Sequence, residues 1–171
     1  MKPFFLTVYL IVLSHMAFAQ LTATGFNSVK LQELITAHPE CTPFDKEDNR
    51  KFEADPASHF YKIPIGKEAA DGINVRHAFA YADATGIVKK IILIIEGDDT
   101  VKKVERQLGP VQTLAETGFN NVLYSWELEG ESIVILSPLP ASLHKVRNSY
   151  WDLHITPKSG DLVEAYLNYR L

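Results

Sequence analysis

The sequence predicts an α+β protein, a single antiparallel sheet with helices packed on one face, divisible into two helix-plus-hairpin units. Three observations predict it. β-rich runs come in pairs around short glycine-containing turns. Segments of helical period stand between those pairs. The resulting order, helix, strands, helix, strands, strand, helix, is that of an antiparallel sheet with helices on one side.

The first helix is predicted over Ser28 to His38 (SVKLQELITAH). Ser28 serves as N-cap, Leu31, Leu34, Ile35 and His38 share a face, and Pro39 is the stop. Residues 39–59 are polar and aperiodic and read as a long exposed loop. Phe60 to Ile65 is a short strand, placed at a sheet edge because Pro64 lacks an amide donor. INVRHAFAYADATGIVKKIILIIEGD reads as a hairpin turning at Ala84-Thr85-Gly86.

Asp99 to Leu108 is the second helix, with Val101, Val104 and Leu108 on one stripe and Gly109-Pro110 as its stop. A loop follows, with turn chemistry at Gly118 to Asn121. Val122 to Glu129 and Ser132 to Ser137 form a second hairpin, and Tyr150 to Thr156 a further strand. Asp161 to Leu171 is helical, with capping-box spacing at Asp161 and Glu164. The two-unit division rests on an echo: Ser28-Val29-Lys30 and Thr100-Val101-Lys102 each open a predicted helix.

The chain ends bound its destination. MKPFFLTVYLIVLSHMAFAQ has one basic residue, an apolar run and the small-residue triplet Ala17-Phe18-Ala19. That pattern predicts a signal peptide over residues 1–19, cleaved between Ala19 and Gln20, and an extracytoplasmic protein, periplasmic or secreted. An uncleaved anchor is the alternative, but the run is about half the roughly 20 residues a membrane helix needs. No later stretch approaches that length, so residues 20–171 are expected as one domain without a membrane span.

Losing Lys2 with the leader moves the net charge from −4 to −5. Scattered Lys and Arg in an acidic chain argue against a nucleic-acid partner. Cys41 is the only cysteine, so no internal disulfide can form. A lone thiol can pair with another chain, but is more simply a small apolar residue.

Common catalytic signatures are absent: no G-x-S-x-G, no G-x-x-x-x-G-K, no H-E-x-x-H and no C-x-x-C. The mature histidines, His38, His59, His77, His144 and His154, lack metal-site spacing, so neither metal nor cofactor is expected. Strand alternation is more informative. Trp151, Leu153 and Ile155 should face the core and Tyr150, Asp152 and His154 the open side. Tyr124 and Trp126 oppose Ser125 and Glu127 in the same way. In VRHAFAYAD either set can be inside; packing a helix on Ala78, Ala80 and Ala82 would leave His77, Phe79 and Tyr81 outside.

The stretch from Thr100 to Leu136 has an amphipathic helix ending in Leu108-Gly109-Pro110, a loop, then Tyr124-Ser125-Trp126 in a hairpin. It resembles the SmpA/BamE and β-lactamase-inhibitor-protein-like group, small exported modules that bind other proteins. Two departures limit the transfer. Such modules usually carry a residue between the glycine and the proline, and envelope members a lipid-attachment cysteine, which is missing here. The resemblance implies a binding role but neither anchoring nor outer-membrane assembly.

These features predict an exported, non-catalytic binding module, such as an inhibitor or envelope accessory protein. Its partner would be another exported or envelope protein, met on an open sheet face by His77, Tyr81, Glu127, Tyr150, Asp152 and His154. The alternative is a small extracytoplasmic hydrolase using His77 or His154 with a carboxylate. A structural surface protein without a discrete site is a third expectation.

Overall fold

The computed structural model describes residues 21–44, 59–65, 72–117, 121–127, 132–139 and 149–157. These residues are mostly strand and contain one α-helix, which overturns the expected α+β class. The strands are β1 (Gly25–Phe26), β2 (Val29–Lys30), β3 (Thr42–Pro43), β4 (His59–Lys62), β5 (Asn74–Ala82), β6 (Val88–Glu96), β7 (Thr113–Thr117), β8 (Asn121–Glu127), β9 (Ser132–Pro138) and β10 (Tyr150–Pro157). Helix α1 (Thr100–Leu108) links β6 to β7. Eight strands form one antiparallel sheet in the order β3-β4-β5-β6-β10-β9-β8-β7, and β1 pairs with β2 separately.

Two four-strand halves meet where β6 pairs with β10, from Tyr150 opposite Glu96 to Ile155 opposite Ile91. β6 is rich in β-branched residues, β10 mixes two aromatics with Leu153, Ile155 and Thr156, and both lie at the centre of the sheet, where neighbours on both sides pack against such side chains. On one face Ile91, Leu93, Ile95, Leu136, Leu153 and Ile155 are essentially inaccessible. Each such side chain contributes roughly 1.5–3 kcal/mol of burial. Ala78, Ala80 and Ala82 belong to this face, so the small residues are inside and His77, Phe79 and Tyr81 are on the other side.

Helix α1 covers that core with Val104, flanked by Val101 and Leu108, which is the predicted stripe. Two indoles fasten its ends. Trp151 Nε1 donates to Gly97 O and Trp126 Nε1 to Gly109 O, each at 2.8 Å. Gly109 has φ 89° with extended ψ, a backbone region that only glycine adopts readily, so the predicted stop is real.

The predicted helix at Ser28 to His38 does not form, and the two-unit echo fails with it. Asn27 and Gln32 have positive φ, 55° and 65°, and Val29 joins a hairpin whose Gly25 leaves no room for a Cβ beside Val29 O. The chain bonds to the β5–β6 turn instead of to itself: Gln32 N to Val88 O (2.9 Å), Val88 N to Glu33 O (2.9 Å), Ile35 N to Gly86 O (2.8 Å). Only Ile35–Ala37 turns, as a 3-10 helix, and Leu34, expected on the apolar face, is exposed. Tertiary hydrogen bonds override a weak helical propensity here.

Smaller corrections follow. Thr113–Thr117 is a strand where a loop was expected, pairing with β8 at one edge of the sheet. Thr42–Pro43, inside the expected polar loop, is the opposite edge, so the Phe60 strand lies one place inward. Pro64 falls just past that strand, where its carbonyl accepts from Asn27 Nδ2 (2.9 Å). The predicted helix at 161–171 and most of the polar loop lie outside the described residues.

Candidate functional site

All six sequence-predicted site residues lie on the sheet face opposite the core, as register shows. One cross-strand row runs His77, Ile94, Asp152, Ser137, and the next Phe79, Ile92, His154, Ile135, Ser125. Tyr150 stands opposite Glu96, Tyr81 opposite Lys90, and Glu127 opposite Ile133. They nevertheless do not make one site. His77 on β5 and Glu127 on β8 are four strand spacings apart, roughly 19 Å.

Nor is the face uniformly open. His154 is 2% exposed, and Ile92, Ile133, Ile135, Leu123 and Ser137 are also buried on this side. Tyr81, Tyr150 and Asp152 are half-buried, while His77 and Glu127 are exposed. His154 Nε2 lies 2.8 Å from Asp152 Oδ1, an ion-pair distance without the angle of a well-formed hydrogen bond. Burial holds Lys90 below the usual lysine range, partly offset by the Asp152 charge. This is a buried polar group in an apolar sheet face rather than a surface.

Exposed His77 borders the corner formed by β3, β4 and β5, where a cleft of about 330 Å³ opens. Its walls include Glu40, Thr42, Lys62, Ile65, Arg76, His77 and Phe79. A β-bulge makes it. Between Val75 and His77 the β5 register against β6 slips, so Arg76 and His77 are both exposed while Val75 and Ala78 both reach the core. Pairing of β4 with β5 runs to Lys62 opposite Phe79, followed by Ile63 N to Ala78 O (2.9 Å).

Aromatic contacts stiffen one wall. Phe44 meets Phe79 edge-on with centroids 5.1 Å apart, and the His77 ring stacks at 6.2 Å from Phe79. Lys62 Nζ lies 4.7 Å from the centre of the Phe44 ring, and no described carboxylate is ion-paired with it. Arg76 grips Glu96 through Nε and Nη2, joined by Asn74 Nδ2 (3.1 Å), while its own side chain stays 52% exposed. Glu40, at the rim, accepts from Ser28 Oγ; that bond above all holds its carboxyl below the ordinary range.

The cleft holds cationic, aromatic and hydroxyl groups, but its histidine has no described carboxylate partner. The short histidine–carboxylate contacts among the described residues, His38 to Glu33 (3.0 Å) and His154 to Asp152, involve buried histidines outside it. Strand spacing puts His77 and His154 roughly 10 Å or more apart, so they do not converge as a hydrolytic pair. Among the described residues no group of three His, Cys, Asp or Glu could hold a metal ion.

Sequence reasoning placed His77 and Phe79 on the same open face, counted only His77 as a site residue, and missed Lys62 and Arg76 as their neighbours. A signal was present. Small apolar residues on β5 recur at 75, 78, 80 and 82, and the one three-residue step marks the bulge. No family model matches this chain, and neither a curated protein nor a solved structure matches it. No helix among the described residues is long and apolar enough to cross a membrane.

Proposed function

We propose that this chain is an exported, non-catalytic binding protein that recognises another exported or envelope protein through the corner of β3, β4 and β5. The observation that carries it is the cleft. It combines exposed Arg76 and His77 with half-buried aromatic rings on a rigid sheet, the mixture that concentrates binding energy at protein interfaces. Export is supported by the leader-like residues 1–19 and the Ala17-Phe18-Ala19 triplet. The likeness of residues 100–136 to small exported protein-binding modules points the same way.

Affinity capture from the exported fraction tests it, comparing the unaltered protein with Phe79→Ala and Lys62→Glu. A partner held by the first and lost by both variants supports the proposal. Equal recovery of every partner by all three would sink it. Mass spectrometry of the purified protein checks export separately, with Gln20 expected as the first residue.

A further inference from the structure

We infer that the cleft receives a carboxylate adjoining an aromatic side chain, presented by a segment of the partner protein. This rests on the binding role proposed above and names the chemistry it would recognise. Three observations carry it.

Size comes first. At about 330 Å³ the cleft is at the lower end of ligand sites, enough for roughly one or two side chains and too small for a folded surface to enter.

Charge selects an anion. Among the described residues Lys62 is balanced by the Phe44 ring face alone, an attraction of roughly 0.5–1 kcal/mol at exposed sites, which leaves its donors available to an anion. Arg76 spends Nε and Nη2 on Glu96 and retains donors in its planar fork for a second acceptor. The described carboxylate in the wall, Glu40, accepts from Ser28 Oγ and lies 3.8 Å from His38 Nδ1, so its Oε1 is already engaged within the protein.

Shape selects the ring. Phe79 is only half-buried although it is flanked by Phe44 and His77, and its remaining surface borders the cleft beside the two cations. A third ring can add an offset or edge contact there.

Titration of the isotope-labelled protein with end-blocked peptides, followed by amide chemical shifts, tests the inference. The probes are acetyl-Glu-Phe-amide, acetyl-Gln-Phe-amide, 3-phenylpropionate and inorganic phosphate. Glu-Phe should shift the amides of Arg76 to Phe79, with Gln-Phe binding about tenfold or more weakly, the loss for removing a charge-assisted hydrogen bond. Lys62→Gln, at an exposed position, should weaken Glu-Phe by a similar factor and leave the remaining spectrum unchanged.

Equal binding of the two peptides, no shifts at the cleft, or a preference for phosphate would each overturn the inference. Binding of 3-phenylpropionate as tight as that of Glu-Phe would assign the cleft to a free acid and overturn the partner-segment origin. If capture depends on the cleft but the peptides fail, only the carboxylate inference falls. If capture ignores the cleft, the proposed binding role falls first.

Discussion

Trp126 donates its indole N–H to the carbonyl of Gly109 at 2.8 Å, tying the end of α1 to strand β8. Trp151 does the same for Gly97 before the helix, so both tryptophans of the chain hold the boundaries of one nine-residue helix. A helix this short is marginal alone in water and depends on such anchoring. Trp126→Phe should therefore lower stability by roughly 1–3 kcal/mol, through the lost bond and the volume removed from a fully buried site. Gly109→Ala should cost a similar amount, roughly 1–3 kcal/mol, because its positive φ with extended ψ strains any Cβ-bearing residue. Urea unfolding of both variants checks this; a loss below the error of measurement would remove the anchoring role.

The β5–β6 turn has an acid-sensitive centre. Asp83 Oδ1 accepts from Thr85 Oγ1 (2.6 Å), Thr85 N (2.9 Å) and Ile87 N (3.1 Å). The Thr85 hydroxyl bond chiefly holds its carboxyl below the ordinary value, helped by those amides and by Lys89. A lowered folded-state pKa means stabilisation that is present above the ordinary carboxyl range and lost as pH falls through the folded value. The gap in thermal midpoint between wild type and Asp83→Ala should be full at pH 6 and close below about pH 4. A gap that stays constant with pH would contradict the assignment.

Cys41 should be slow to react. Burial, and then the neighbouring Glu40 charge, push its thiol up to about 11. At pH 8 such a thiol has a few-hundred-fold less thiolate than a free cysteine, partly offset by greater nucleophilicity of what remains. Alkylation by iodoacetamide should run about tenfold or more below the rate of a small free thiol. A rate at or above that of the free thiol would show Cys41 to be open and activated.

Lys90 is a cationic side chain on a largely buried face, and burial disfavours its charged form despite Asp152. A lowered lysine pKa means that folding opposes protonation, a cost present at neutral pH that fades as pH rises towards the unperturbed lysine value. Lys90→Met keeps the stem and removes the charge. Its thermal midpoint should exceed that of wild type at pH 7, with the difference shrinking by pH 10. A lower midpoint at pH 7 would mean that the ammonium is a net stabilising partner.

Much of the sheet was legible because period-two alternation is a local property. Leu153 and Ile155 against Asp152 and His154, and Trp126 against Glu127, divide between the two faces as their alternation predicts. Helix α1 and its glycine stop were equally legible, since Val101, Val104 and Leu108 recur at helical spacing. The candidate site was less so. Alternation can put six residues on one face, but it cannot say that His154 is buried there and His77 exposed, because exposure depends on what packs over each position.

By itself, then, the sequence determined which residues share a strand face, the β5–β6 turn and the helix with its stop, all encoded in neighbours a few positions apart. Tertiary structure alone decided the rest. Ser28 to His38 abandoned its helical pattern because the β5–β6 turn offered its backbone better partners. Thr113–Thr117 became an edge strand because β8 lay beside it. The cleft exists because a bulge in β5 and the nearby end of β4 coincide, bringing Lys62 and Arg76 together from 14 positions apart in the chain. Local periodicity fixes which way a side chain points; only long-range pairing fixes what it meets.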